Sequence, residues 1–138
     1  MKRVLFIDVR NTARSPMAEA WFNALAVGWG RAMSCGTMPA KAFDLNAITV
    51  MAEVGVPIRP HLPRALNQQL LARAQCIVIL GSDVPARAFP NALIWDFPDP
   101  TGEAVEQYRN LRDAIRERVA ELAHSLHPIQ MEAIPEKA

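Results

Sequence analysis

The residues with the clearest chemical potential lie in one short segment near the N-terminus. Four apolar residues, 4–7, lead to Asp8, and a polar turn continues from there to Arg14. Ser15 and Pro16 are typical of the N-cap and first position of a helix. A loop between a strand and a helix N-terminus directs backbone N–H groups and the positive end of the helix dipole towards one point. Arg14 adds a planar fork of donors, so we predict a binding site for an oxyanion. The predicted anion-binding loop consists of Val9, Arg10, Asn11, Thr12, Ala13, Arg14 and Ser15.

Length, charge and composition exclude several classes of protein. The 138 residues suffice for one domain with a hydrophobic core. A net charge of +1 argues against a basic surface for nucleic acid or for a membrane, and no stretch approaches the ~18 apolar residues of a membrane span. Cys35 and Cys76 each lie in an apolar run, which favours reduced core thiols in a cytoplasmic protein. The three histidines have no metal-ligand spacing, so neither a metal nor a cofactor is predicted.

The alternation of strands and helices predicts the fold class. We expect an α/β three-layer sandwich, with a four-stranded, mostly parallel sheet and helices on both faces. One domain should cover residues 1–127, and residues 128–138 should form a flexible C-terminal tail. Residues that follow the strands should meet at one edge of the sheet. The predicted strands are 2–7, 31–35, 76–80 and 92–95, and the predicted helices are 16–27, 44–55, 64–73 and 103–126.

The N-terminal segment resembles the active-site loop of the low-molecular-weight protein tyrosine phosphatases and the thioredoxin-coupled arsenate reductases. In those families an apolar strand is followed by Cys, five residues, Arg, Ser, Pro or Gln, Met, Ala and Glu. Asp8 stands at the cysteine position of this pattern. The resemblance therefore implies Asp8 at the nucleophile position, with Arg14 and Ser15 as further catalytic positions. The residues that match the family pattern are Asn11, Arg14, Ser15, Met17, Ala18 and Glu19.

The resemblance continues along the chain to about residue 126. The Ser-Cys-Gly-Thr segment at 34–37 is similar to the family's Ser-Ala-Gly-Thr, which implies that Ser34 braces Asn11. The segment around His61 also matches, and we expect His61 to be a structural support. The Asp-Pro at 99–100 implies that Asp99 occupies the general-acid position. The loop at 81–89 contains no cysteine, so we do not expect thiol-based arsenate reduction.

Asp8 changes the chemistry that such a loop can perform. A carboxylate is a poorer nucleophile than a thiolate, and it repels an anion at ~4 Å by roughly 4 kcal/mol at an effective dielectric constant of about 20. We therefore expect the Asp8 carboxylate to accept the loop N–H groups and to pair with Arg14. Such stabilisation of the charged form should lower the pKa of Asp8 below the reference value of about 3.9.

Three functions remain open at this point. The first is a pseudophosphatase that binds an oxyanion of the phosphate, sulfate or arsenate type, or a protein partner such as a phosphoprotein. The second is a phosphatase whose cysteine has been deliberately replaced by Asp8. The third is a phosphohydrolase with Asp8 as nucleophile, because residues 6–12 resemble the Asp-x-Asp-x-Thr motif of haloacid-dehalogenase-type phosphatases. In that motif Arg10 would replace the second aspartate and part of the Mg²⁺ site. The sequence gives no indication of the oligomeric state.

Overall fold

Four parallel strands form the central sheet of the protein. The computed structural model describes residues 1–59 and 61–127. The strand order is β2-β1-β3-β4, and every neighbouring pair is parallel. The strands are β1 (Lys2–Asp8), β2 (Gly30–Gly36), β3 (Cys76–Leu80) and β4 (Leu93–Trp95). This arrangement confirms the predicted sheet, and it brings the carboxyl ends of all four strands to one edge.

Helices cover both faces of the sheet. One face packs against α1, α2 and α4, where Phe22, Met51 and Ile115 are fully buried in one apolar cluster. On the other face, Leu5 and Ile7 pack with residues of α3 and its flanks. The helices are α1 (Arg14–Leu25), α2 (Leu45–Glu53), α3 (Gln68–Arg73) and α4 (Val105–Leu126). The three-layer α/β prediction is therefore confirmed.

Three predicted helix starts are wrong, and one of them is that of α4, which begins at Val105 rather than at residue 103. Helix α1 begins at Arg14 with Ala13 as its N-cap, and the Ser15 amide in its first turn donates to the Asp8 carboxylate. Helix α3 begins at Gln68 rather than at residue 64. The backbone of residues 64–66 instead pairs with Gly36 at the edge of the sheet, and the Asn67 side chain then caps α3. The observed starts of α1 and α3 both bring backbone groups of the residues before or within their first turns to the predicted site.

Two further predictions concern the ends of the molecule and its environment. Residues 128–138, predicted as a tail, lie outside the described residues. Among the helices that are described, none is long and apolar enough to cross a membrane.

Candidate functional site

The Asp8 carboxylate lies inside the loop that follows β1. Its Oδ1 accepts a hydrogen bond from the Asn11 amide at 2.8 Å, and its Oδ2 accepts one from the Ser15 amide at 3.0 Å. The residue is only 2% exposed. Asp8 thus connects the end of the first strand to the start of α1, and it accepts two of the loop amides as the sequence predicted.

The remaining polar backbone groups of the loop divide into two sets. Four loop carbonyls accept hydrogen bonds from the segment after β2, and this anchors the outside of the loop. Within the described part of the chain, by contrast, the N–H groups of Arg10, Thr12 and Ala13 donate to no other group. These donors, at the positive end of α1, are available to an anion. The anchoring pairs are Thr37 to Asp8, Met38 to Val9, Ala40 to Arg10 and Asp44 to Thr12.

Asn11 fixes the shape of the loop from within. Its φ of 55° is left-handed, a conformation that Asn tolerates better than most residues with a side chain. The side-chain Nδ2 donates to Ser15 Oγ at 2.8 Å and to Ser34 Oγ at 2.9 Å. The Oδ1 accepts from the Arg64 amide at 2.8 Å. The contact between Asn11 and Ser34 that the resemblance implied is therefore present, and it is buried.

A second layer of polar residues supports Ser34, and the sequence predicted only part of it. Ser34 Oγ donates to Glu19 Oε1 at 2.7 Å, and the Arg64 guanidinium donates to the Ser34 carbonyl at 2.8 Å. Arg64 also donates to His61 Nε2 at 3.0 Å, which gives His61 a structural contact. Glu19 and the segment of Arg64 match the family pattern, but the sequence predicts a role for neither. The sequence does contain one indication of a role for Glu19, because an acidic residue is unusual among the apolar residues near the start of α1.

Arg14 does not pair with Asp8, which corrects the prediction. Its guanidinium makes a bidentate contact with the Asp83 carboxylate, at 3.0 and 2.9 Å, and donates to the Phe97 carbonyl at 3.0 Å. Both oxygens of Asp8 are already bonded to amides, whereas Asp83 offers a fork that matches the guanidinium. The sequence predicts that the residues after β3 lie at this edge of the sheet, but it indicates no role for Asp83.

Gly81 makes the contact between Arg14 and Asp83 possible. Its φ is +121°, a conformation that side chains of L-residues rarely adopt. A Cβ at this position would lie 2.1 Å from Arg14 Nη1 and 2.6 Å from Asp83 Oδ1. The backbone after β3 is therefore shaped around this ion pair.

Asp99 lies at the same edge, within range of the charges of Arg14 and Arg10. Its Oδ1 accepts from the Thr101 amide at 2.9 Å and from the Thr101 hydroxyl at 2.7 Å. Partial burial acts to raise the pKa of Asp99, but the two Thr101 hydrogen bonds and the nearby arginines hold it below its ordinary value. The free protein therefore holds Asp99 as a carboxylate at the edge of the sheet where the loop lies.

Burial dominates the ionisation of Asp8. It raises the pKa of the carboxyl above its ordinary value, although the hydrogen bonds from Ser15 and Asn11 and the charge of Arg14 act in the opposite direction. The predicted decrease of this pKa is therefore wrong, because Asp8 is almost fully removed from water. Burial and the charge of Asp8 also raise the pKa of the Cys35 thiol to about 12.

The site contains no cluster of metal ligands that the structure reveals. Among residues 1–59 and 61–127, no group of three or more His, Cys, Asp or Glu side chains could hold a metal ion. The arrangement offers an anchored loop with three free amide donors and a buried carboxylate that is bonded to two other amides.

Comparison with known proteins gives consistent matches in sequence and in structure. The sequence model of the low molecular weight phosphotyrosine protein phosphatases matches residues 3–92. An arsenate reductase from Brevibacillus brevis is 30% identical over 129 residues, which cover 90% of this chain and 96% of the relative.

Two solved structures share the fold over nearly the whole chain. An arginine phosphatase from Geobacillus stearothermophilus superposes with a TM-score of 0.84 and 26% identity, covering 96% of this chain and 97% of that one. An arsenate reductase from Archaeoglobus fulgidus has a TM-score of 0.75 and 33% identity, with 87% of this chain and 98% of that one covered.

Proposed function

Because the chain belongs to the low molecular weight phosphotyrosine protein phosphatase family, we propose that it is a pseudophosphatase, with the family's oxyanion loop but Asp8 at the position of the nucleophilic cysteine. The observation that carries the proposal is the buried Asp8 carboxylate, bonded to the amides of Asn11 and Ser15. A carboxylate with both oxygens held by amides is a weak nucleophile and brings negative charge to a site for anions.

Two other features of the site support impaired catalysis. Arg14, the residue positioned to grip phosphoryl oxygens, is bonded to Asp83 and to the Phe97 carbonyl. At the general-acid position, the Thr101 hydrogen bonds and the charges of Arg14 and Arg10 hold the pKa of Asp99 below its ordinary value. The site thus lacks a competent nucleophile, and protein groups engage its arginine in place of an anion, whereas Arg14 and Asp99 keep the residue types that phosphoryl transfer needs.

The two cysteines do not offer a replacement for the missing thiol. Cys35 is fully buried, and its pKa of about 12 keeps it protonated at neutral pH. Cys76 packs on the opposite face of the sheet from Cys35, so the two thiols are not placed to form a disulfide. This placement supports the expectation that the chain does not reduce arsenate by thiol chemistry.

The proposed ligand follows from the loop and from the relatives. Relatives of this chain are arsenate reductases and an arginine phosphatase by name, and the family binds oxyanions of the phosphate and arsenate type. We propose that the present chain also binds such an oxyanion. The anion could be free in solution or could be the phosphoryl group of a phosphorylated protein. The free thiols of both cysteines fit a cytoplasmic location.

Turnover of p-nitrophenyl phosphate and of a phosphotyrosine peptide tests the proposal. The wild-type protein should remain at background with and without Mg²⁺. Asp8→Cys should raise the rate at least about 100-fold, because the loop amides and the helix N-terminus would lower the pKa of the new thiol. Asp8→Ser is the matched control, since it has nearly the shape of cysteine but no thiolate.

Two results would contradict the proposal in different ways. Robust wild-type turnover that requires Mg²⁺ would identify Asp8 as a working nucleophile. A folded Asp8→Cys variant without any gain would show that the loop is not a competent phosphatase scaffold.

A further inference from the structure

We propose that Asp8 makes the loop selective for oxyanions that still carry a proton, such as hydrogen phosphate and hydrogen arsenate, over fully ionised anions such as sulfate. This inference rests on the proposed function, because it requires that the loop bind an oxyanion. It goes further in naming the chemical feature by which the ligand is recognised.

The first step concerns what Asp8 can offer to a ligand. An ionised carboxylate is only an acceptor, and its two oxygens together have about four acceptor positions. The Asn11 and Ser15 amides occupy one position on each oxygen, and the Ser15 hydroxyl is a third hydrogen-bond donor to the carboxylate. A ligand that contacts the carboxylate must therefore do so at a remaining lone pair. Two oxygen atoms that face each other with lone pairs repel at hydrogen-bonding distance unless a hydrogen lies between them.

The second step concerns the donors that surround the same point. The N–H groups of Arg10, Thr12 and Ala13 have no acceptor within the described residues, and each can donate to a ligand oxygen. A complementary ligand must therefore present several acceptors and one donor. Hydrogen phosphate and hydrogen arsenate have both at neutral pH, whereas sulfate has acceptors alone.

The charged groups near Asp8 do not supply the missing proton. On α1, Arg14 is bonded to Asp83, and Glu19 accepts from Ser34 and Arg64. On β2, the Cys35 thiol keeps its own proton, since its pKa is about 12. Asp99 is itself held as an anion. The proton must accompany the ligand or be taken up by Asp8, and burial of Asp8 favours its presence between the two. The complex then holds one proton, whichever oxygen it is assigned to.

Isothermal titration calorimetry at neutral pH with phosphate, arsenate and sulfate tests the selectivity. Wild-type protein should bind phosphate and arsenate, and sulfate at least about 100-fold more weakly, because a site built for a ligand hydroxyl rejects the analogue without one. In Asp8→Asn the side-chain amide can donate to sulfate, so the ratio should fall below about 10-fold. Asp83→Asn is the matched control. It removes a carboxylate that contacts Arg14 rather than the loop amides, and it should change all affinities without changing their ratio.

The outcomes separate this inference from the proposed function. Equal wild-type affinity for sulfate and phosphate would overturn the selectivity and leave oxyanion binding intact. Binding of no oxyanion by wild type or by either variant would overturn the proposed oxyanion site itself. Should Asp8→Asn fail to fold, the wild type alone decides the question. Its affinity for sulfate should rise as the pH falls, with uptake of about one proton per anion, and sulfate binding that is independent of pH would overturn the inference.

Discussion

Asn11 holds the loop in a left-handed backbone conformation, and its replacement should show how much the loop geometry contributes to stability. The side chain makes three buried hydrogen bonds, to Ser15, to Ser34 and to the Arg64 amide. At about 1 kcal/mol of net stability for each, their loss should cost about 3 kcal/mol. Asn11→Ala also places an alanine at a φ of 55°, which costs about 1–2 kcal/mol more.

Asn11→Gly separates the backbone term from the hydrogen bonds. Glycine adopts this conformation without strain, although it loses about 0.5–1 kcal/mol to the entropy of the unfolded chain. We therefore expect Asn11→Gly to cost about 3.5–4 kcal/mol and Asn11→Ala about 4–5 kcal/mol. Urea denaturation of both variants at 25 °C gives these free energies of unfolding directly.

Asn23 is the matched control for this comparison. The Asn23 side chain makes two hydrogen bonds, both to the Ala32 backbone, and the residue lies within α1, where φ is negative. There glycine should be worse than alanine by about 1 kcal/mol, which is the reverse of the order at Asn11. A cost below about 1 kcal/mol for Asn11→Ala, or the same order of variants at both sites, would refute the reasoning.

Two further predictions concern the groups around Arg14 and Asp8. Gly81→Ala should destabilise the protein more than Gly28→Ala, because a Cβ at Gly81 would displace the pair of Arg14 and Asp83. Gly28 is the control, since its φ is also positive but a Cβ there would meet no other atom within 4 Å. Equal free energies of unfolding in urea would mean that the pair contributes little. The pKa of Asp8 is raised in the folded state above its ordinary value of 3.8, so the folded protein holds this proton more tightly than the unfolded chain does. The stability of wild type relative to Asp8→Asn should therefore fall as the pH rises from about 4 through the folded pKa, and urea denaturation at a series of pH values would contradict this if the difference increased.

The sequence predicted those parts of the site that depend on local order. A strand, a polar turn and a Ser-Pro helix start are enough to predict a loop with free amides. The resemblance added the contact between Asn11 and Ser34, which lie 23 positions apart. Their contact follows from the parallel pairing of β1 and β2, since Gly36 lies opposite Asp8 in that register.

The sequence-based predictions were wrong about the partner of Arg14 and about the pKa of Asp8, because neither depends on spacing along the chain. Asp83 is 69 positions from Arg14, and it reaches Arg14 only because β3 lies beside β1 and Gly81 lacks a side chain. The direction of the Asp8 pKa depends on how completely the loop excludes water. Hydrogen bonds and a nearby arginine suggested a decrease, but the burial of the carboxylate outweighs them.

Covalent phosphorylation of residue 8 tests most directly whether the loop is a phosphatase loop without its nucleophile. Wild type and Asp8→Cys would be mixed with p-nitrophenyl phosphate, quenched rapidly and measured by intact-protein mass spectrometry, with and without Mg²⁺. We predict a mass increase of one phosphoryl group in Asp8→Cys, located at residue 8 by peptide mapping, and no increase in the wild-type protein. A phosphoryl group on Asp8 of the wild type would contradict the account, because the carboxylate would then be a nucleophile in its own right.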